Sequence, residues 1–141
     1  MLYALYNDDG SIHQANKVYD CKDYSRLLLD RGLKFVSANL AGPVSPDHWL
    51  VDTTANALCE RPVMPITVNK TLVKAGANDS ALFQNIPRKA NCSISTMSAV
   101  VYGGVLDSDE LEIAIPVPCI YRVAFELWPY KRFEVDIEAS A

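Results

Sequence analysis

Histidine is scarce in this chain. Only His13 and His48 occur in 141 residues, and neither has a second histidine or a cysteine at metal-ligand spacing. The cysteines Cys21, Cys59, Cys92 and Cys119 stand 38, 33 and 27 positions apart, so no CxxC pair writes a zinc or redox site. Each reads as a small buried hydrophobe. A sharper alternative sets Cys92 and Cys119 face to face across two strands, where a reducing compartment would keep them as thiols.

Other absences narrow the chemistry further. The sequence holds no HExxH, GxSxG, P-loop or GxGxxG. No continuous apolar run approaches the ~18 residues of a membrane helix, and the first residues lack the basic and apolar regions of a secretion signal. Synthesis in a reducing cytoplasm is therefore expected, with no membrane partner. Lysine and arginine total 13 against 17 acidic residues, a net charge of −4, and no basic run interleaves with aromatics. That pattern argues against a nucleic-acid partner, which needs a basic face. The acidic pairs Asp8-Asp9 and Asp107/Asp109-Glu110 fall in turn sequences, and Asp136/Glu138 fall on one face of a strand. Paired-carboxylate hydrolysis needs two such groups across a cleft, one with a raised pKa. The 107–110 turn offers oxygens for calcium but lacks the glycine and terminal glutamate of an EF-hand. Asp47-His48 beside Cys59 is a weak dyad, and His48-Trp49 reads better as the start of a half-exposed strand. No catalytic residue, metal or cofactor is expected.

What is present is a globular composition, with half of the residues hydrophobic and 21% charged. The run Leu2–Tyr6 has strand character, and Asn7-Asp8-Asp9-Gly10 is a hairpin turn whose glycine supplies positive φ. Residues 11–19 form the returning strand. Asp20 or Asp23 is placed to cap a short helix over 24–31, and Gly32 to end it. Tyr24, Leu27, Leu28 and Arg31 share one face of that helix, and Tyr3, Tyr6 and Tyr19 are expected to pack on it. Short strands at 33–36, 48–51 and 57–61 complete a small α+β unit over residues 1–61. The segment Arg61-Pro62-Val63-Met64-Pro65 marks a boundary. Beyond it, about seven short β-type runs separated by turn residues describe a β-sandwich over 62–141. Gly103-Gly104 is read as one of the turns. The clearest evidence is alternation. Leu111, Ile113 and Ile115 face one side, as do the odd positions of Tyr121–Leu127 and of Phe133–Ile137, with charged residues between them. The fold expected is mainly β.

Two stretches carry a family resemblance. Lys70-Thr71-Leu72-Val73-Lys74-Ala75-Gly76-Ala77-Asn78-Asp79 and Pro118-Cys119-Ile120-Tyr121-Arg122-Val123 resemble the first turn and the F-strand entry of bacterial and phage immunoglobulin-like domains. Cys119 stands where glycine is common. Tyr121 lies where a tyrosine-corner hydroxyl bonds back to the chain. Tyr3–Ile12, Asp47–Val51 and Arg61–Pro65 resemble small proteins of tailed-phage and prophage structural modules. The resemblance implies a virion-associated, non-enzymatic structural protein, most simply a tail- or fibre-associated adaptor. Its partners would be other virion proteins and copies of itself. Capsid decoration, binding of a carbohydrate or host surface, and tail-fibre assembly are the other roles it admits, because this fold alone assigns none. The aromatic residues Tyr3, Tyr6, Trp49, Trp128 and Tyr130 are the candidate interaction surface.

Overall fold

The computed structural model describes residues 1–19, 23–40 and 42–141. The chain divides into two compact units, Met1–Arg61 and Pro62–Ala141. Among the described residues the fold is mainly β, with thirteen strands and one helix.

In the first unit, strands β1 (Leu2–Tyr6), β2 (Ile12–Lys17) and β3 (Phe35–Ala38) form an antiparallel sheet in the order β2-β1-β3. The middle strand is buried on both faces, which is why its sequence is an unbroken apolar run. Leu2 and Ala4 join Ile12, Val36, Val44 and Val51 on one side. Tyr3 and Leu5 meet Leu28 of helix α1 (Tyr24–Asp30) on the other. A second hairpin, β4 (Trp49–Asp52) with β5 (Ala57–Glu60), supplies Val51 to the first of these clusters.

The turn after β1 follows from its sequence. The Asn7 carbonyl accepts from the Gly10 N–H at 2.9 Å, and the Asn7 N–H donates to the Ser11 carbonyl at 2.8 Å. Gly10 sits at φ +89°, the left-handed residue that closes such a turn with a bulge. A methyl group at Gly10 would lie 2.3 Å from the Val51 carbonyl oxygen, so only glycine lets the turn approach β4.

The helix ends as expected. Gly32 has φ +67°, its N–H donates to the Leu29 carbonyl, and the Leu33 N–H donates to the Leu28 carbonyl, each at 3.0 Å. Its start differs. Asp23 is the N-cap residue but its side chain makes no capping hydrogen bond, and Asp20 lies outside the described residues. Only Leu28 of the anticipated helical face is buried, while Leu27 is exposed. The helix is only 7 residues long, about two turns, and buries a single position. Tyr19 is 93% exposed and does not pack on the helix, since β2 ends at Lys17.

The second unit has eight strands. β6 (Thr67–Val68), β8 (Ala81–Gln84) and β11 (Leu111–Ile113) form one sheet in the order β11-β8-β6. β7 (Leu72–Lys74), β9 (Asn91–Ser95), β10 (Val100–Val105), β12 (Cys119–Glu126) and β13 (Phe133–Ser140) form the other, ordered β10-β9-β12-β13-β7. All pairings are antiparallel except β13 with β7. Residues from both sheets share one core, with Phe83, Cys92, Val123, Phe125 and Ile137 wholly buried. The Phe83 and Phe125 rings meet at 5.5 Å across it. The alternation read from β11, β12 and β13 matches this inner face.

Three sequence expectations are corrected here. Gly103 and Gly104 do not turn the chain but lie inside β10. Cys92 is opposite Phe125 and Cys119 is opposite Ala139, so the two thiols are not partners. Tyr121 is half-buried against the core, but among the described residues no tyrosine-corner hydrogen bond of its hydroxyl is found.

Candidate interaction surface

Of the five aromatic residues proposed from sequence, Tyr3, Tyr6 and Trp49 lie in the first unit and Trp128 and Tyr130 in the second. Tyr3 is only 2% exposed and cannot serve as a surface. Its ring packs edge-on to Tyr24 at 4.8 Å and against Phe35, and its hydroxyl hydrogen-bonds the Ser25 hydroxyl at 2.9 Å. Position 3 is central in the sheet, which explains the burial. Tyr6 and Trp49 are half-buried against the cluster on the opposite side of that sheet. Tyr130 is half-buried against the core of the second unit, and Trp128 is 38% exposed. The Trp128–Pro129 peptide is cis.

Exposed apolar side chains concentrate elsewhere, on β10 and in the turn before it. Val100, Val101, Tyr102 and Val105 are all exposed, and Met97, in the turn before β10, is entirely so. Ile120 on β12 is half exposed. Tyr102 is opposite Ile94, a core residue, and therefore leans over the inner side of the sheet at its rim. There, Ile94, Val101, Tyr102, Leu111, Ile113 and Tyr121 line a cleft of about 240 Å³ at the flank between the two sheets. Sequence reasoning missed this surface because the glycine pair was read as a turn. The signal available was Ala99–Tyr102 continuing through Gly103-Gly104 to Val105 without a charge or a proline.

The outer face of β12 and β13 is of opposite character. Arg122 donates to Asp136 at 3.1 Å and lies 3.3 Å from Glu134. Arg132 bridges Glu126 at 3.3 Å and Glu134 at 3.1 Å. The hydrogen bond and charge of Asp136, with Glu134 behind it, raise the Arg122 pKa above its ordinary value. These pairs are solvent-exposed, and they keep the face wet and specific in charge more than they stabilise it. A cleft of about 400 Å³ lined by Ser95, Thr96, Met97, Ile120, Arg122 and Asp136 joins the charged face to the apolar one.

The thiols follow burial. Cys92 is wholly buried and its pKa is pushed up to about 11 by desolvation, so it is held as a neutral thiol. Cys59 and Cys119 are half-buried and unbridged. The 107–110 turn is tied internally, with the Glu110 N–H donating to the Ser108 hydroxyl at 3.2 Å and Gln84 donating to Glu110 at 3.2 Å. Among the described residues no group of three or more His, Cys, Asp or Glu side chains is arranged to hold a metal ion. No helix among them is long and apolar enough to cross a membrane. What this arrangement offers is contact: a strand rim that is apolar, next to a face that is charged. No family model, no curated protein and no solved structure matches this chain.

Proposed function

We propose that this chain is a non-enzymatic structural component of a tailed-phage virion, a tail- or fibre-associated adaptor that works through protein–protein contacts. Residues 62–141 would be its immunoglobulin-like module. The virion role rests on the sequence resemblance, and the observation that supports its immunoglobulin-like part is the strand order of that unit, β11-β8-β6 facing β10-β9-β12-β13-β7, with the last strand β13 parallel to the short β7. An immunoglobulin-like assignment would make β6, β8 and β11 the A, B and E strands and β9, β12 and β13 the C, F and G strands, and the observed order is compatible with it. The exposed apolar rim at β10 supports a contact role. The aromatic cluster around Tyr6 and Trp49 and the Trp128–Tyr130 segment belong to the proposed docking surfaces, with Tyr3 now assigned to the interior.

Mass spectrometry of purified virions tests the assignment. A fixed ratio of this chain to the major capsid protein supports it, with a few to tens of copies marking a tail position. Its absence from particles in which neighbouring structural proteins are detected overturns it.

A further inference from the structure

We infer that β10 is a pairing edge for a second copy of this chain, the two β10 strands running antiparallel about a two-fold axis and joining two five-stranded sheets into one. The inference deepens the reading of the chain as a contact protein and does not depend on its place in a virion.

Edge strands present unpaired peptide groups and are normally protected by shortness, charge, proline or a bulge. The other edges of the second unit's sheets carry such protection. β7 is 3 residues long and ends in Lys74, β6 is 2 residues long, and β11 is 3 residues long with Glu112 at its centre. β10 has 6 residues, Val-Val-Tyr-Gly-Gly-Val, with no charge and no proline. Its pairing with β9 is irregular only between Val100 and Tyr102, and from Tyr102 to Val105 the register is regular. The next residue, Leu106, bonds inward to Lys89 and Ala90. Alternation along the strand then turns the peptide groups of Val105 and Gly103 outward.

Three features select a copy of the same chain as the occupant. First, the chain has a net charge of −4, yet β10 itself is uncharged, so two copies meet there without like charges opposed. Second, the strand is self-complementary when reversed. With Gly103 on the two-fold axis, Tyr102 comes opposite Gly104 of the second copy, so an aromatic ring meets the position with no side chain. Third, the strand's flank is apolar: Val101, Tyr102 and Val105 are exposed at 51, 42 and 61%, and a second copy's edge would cover part of that surface. A two-fold pairing of this kind is closed and stops at the dimer.

The test is sedimentation of the full chain over a concentration series, with amide hydrogen exchange on the same samples. A dimer is expected, with the Gly103 and Val105 amides gaining protection as the dimer forms. Val105→Lys alters an exposed side chain and should keep the monomer's circular dichroism while weakening dimerisation at least about tenfold. Leu72→Lys on the opposite edge should leave dimerisation unchanged. Three results would overturn the inference. One is a chain that stays monomeric up to about 100 µM, where even a Kd of 10 µM gives mostly dimer. Another is a dimer that survives Val105→Lys. The third is an open-ended assembly in place of a dimer. A monomer would leave β10 for a strand of a different protein, and the virion measurement above would still decide the contact reading separately.

Discussion

The two units solve the burial problem differently. Pro62–Ala141 gathers its buried residues into one core between two sheets, with Phe83, Phe125 and Phe133 in ring contact across it. Met1–Arg61 splits its buried residues between the two faces of a narrow sheet, with β1 contributing buried side chains to both. A small unit has too little interior to rely on volume alone. It depends more on particular close approaches, such as Gly10 against Val51 and the Tyr3 hydroxyl on Ser25. Stability in the larger unit should respond most to lost volume, and in the smaller unit to lost fit.

The largest effect should come from Phe125→Ala. Phe125 is wholly buried between two other phenylalanines, so truncation should cost about 3–5 kcal/mol. Urea unfolding followed by Trp128 fluorescence, with Trp49 replaced by Phe, reads the second unit. The same variant should open Cys92, which is opposite Phe125, to alkylation at a rate the native chain resists. A cost under ~1 kcal/mol would mean that this core is not what holds the unit.

Next is Gly10→Ala. It forces a side chain into a positive φ and onto a carbonyl oxygen, and about 1–3 kcal/mol should be lost from the first unit, read by Trp49 with Trp128 replaced by Phe. Tyr3→Phe should be milder, about 1 kcal/mol, since it keeps the ring contacts and removes one hydrogen bond. If Tyr3→Phe costs more than Gly10→Ala, the turn is not the tighter constraint.

Sequence pattern revealed the parts of the fold where one face is apolar and the next residue is charged. Arg122 and Glu126 between buried Val123 and Phe125, and Glu134 and Asp136 around Val135, mark β12 and β13 without ambiguity. The β1 turn and the helix end were legible because Gly10 and Gly32 must take positive φ. β10 was legible only in its first half, where Ala99–Tyr102 reads as a strand. β10 shows no alternation because side chains on both of its faces are largely exposed, and two adjacent glycines imitate a turn. Tyr3 packs on the helix as expected, and its place among the surface candidates fails for the converse reason. Leu2–Tyr6 shows no alternation because both of its faces are covered, and burial on both faces is a tertiary fact.

The finest contrast is between two turn aspartates, one in each unit. Asp9 is held below the usual carboxylate range chiefly by the Ser11 hydroxyl and then the Ser11 N–H, both neutral donors. Asp79 is held below it chiefly by its hydrogen bond from Lys70, then by the Lys74 N–H. In both cases the folded pKa is depressed, so each contribution is present above the unfolded value of ~3.9 and is lost as pH falls through the folded value. Asp9 is exposed and Asp79, half-buried, pairs with an exposed lysine, so the effects on stability should be small. Salt separates them. At about 1 M salt the Debye length shrinks to ~3 Å, which weakens the Lys70 contribution and leaves a neutral hydrogen bond nearly untouched. Carboxyl NMR titration should therefore show the Asp79 pKa rising toward its ordinary value at high salt while that of Asp9 holds. Lys70→Met should reproduce the salt effect at Asp79 alone. Equal movement of the two would mean that the Asp79 turn, like the Asp9 turn, is held by its backbone donor and not by the lysine.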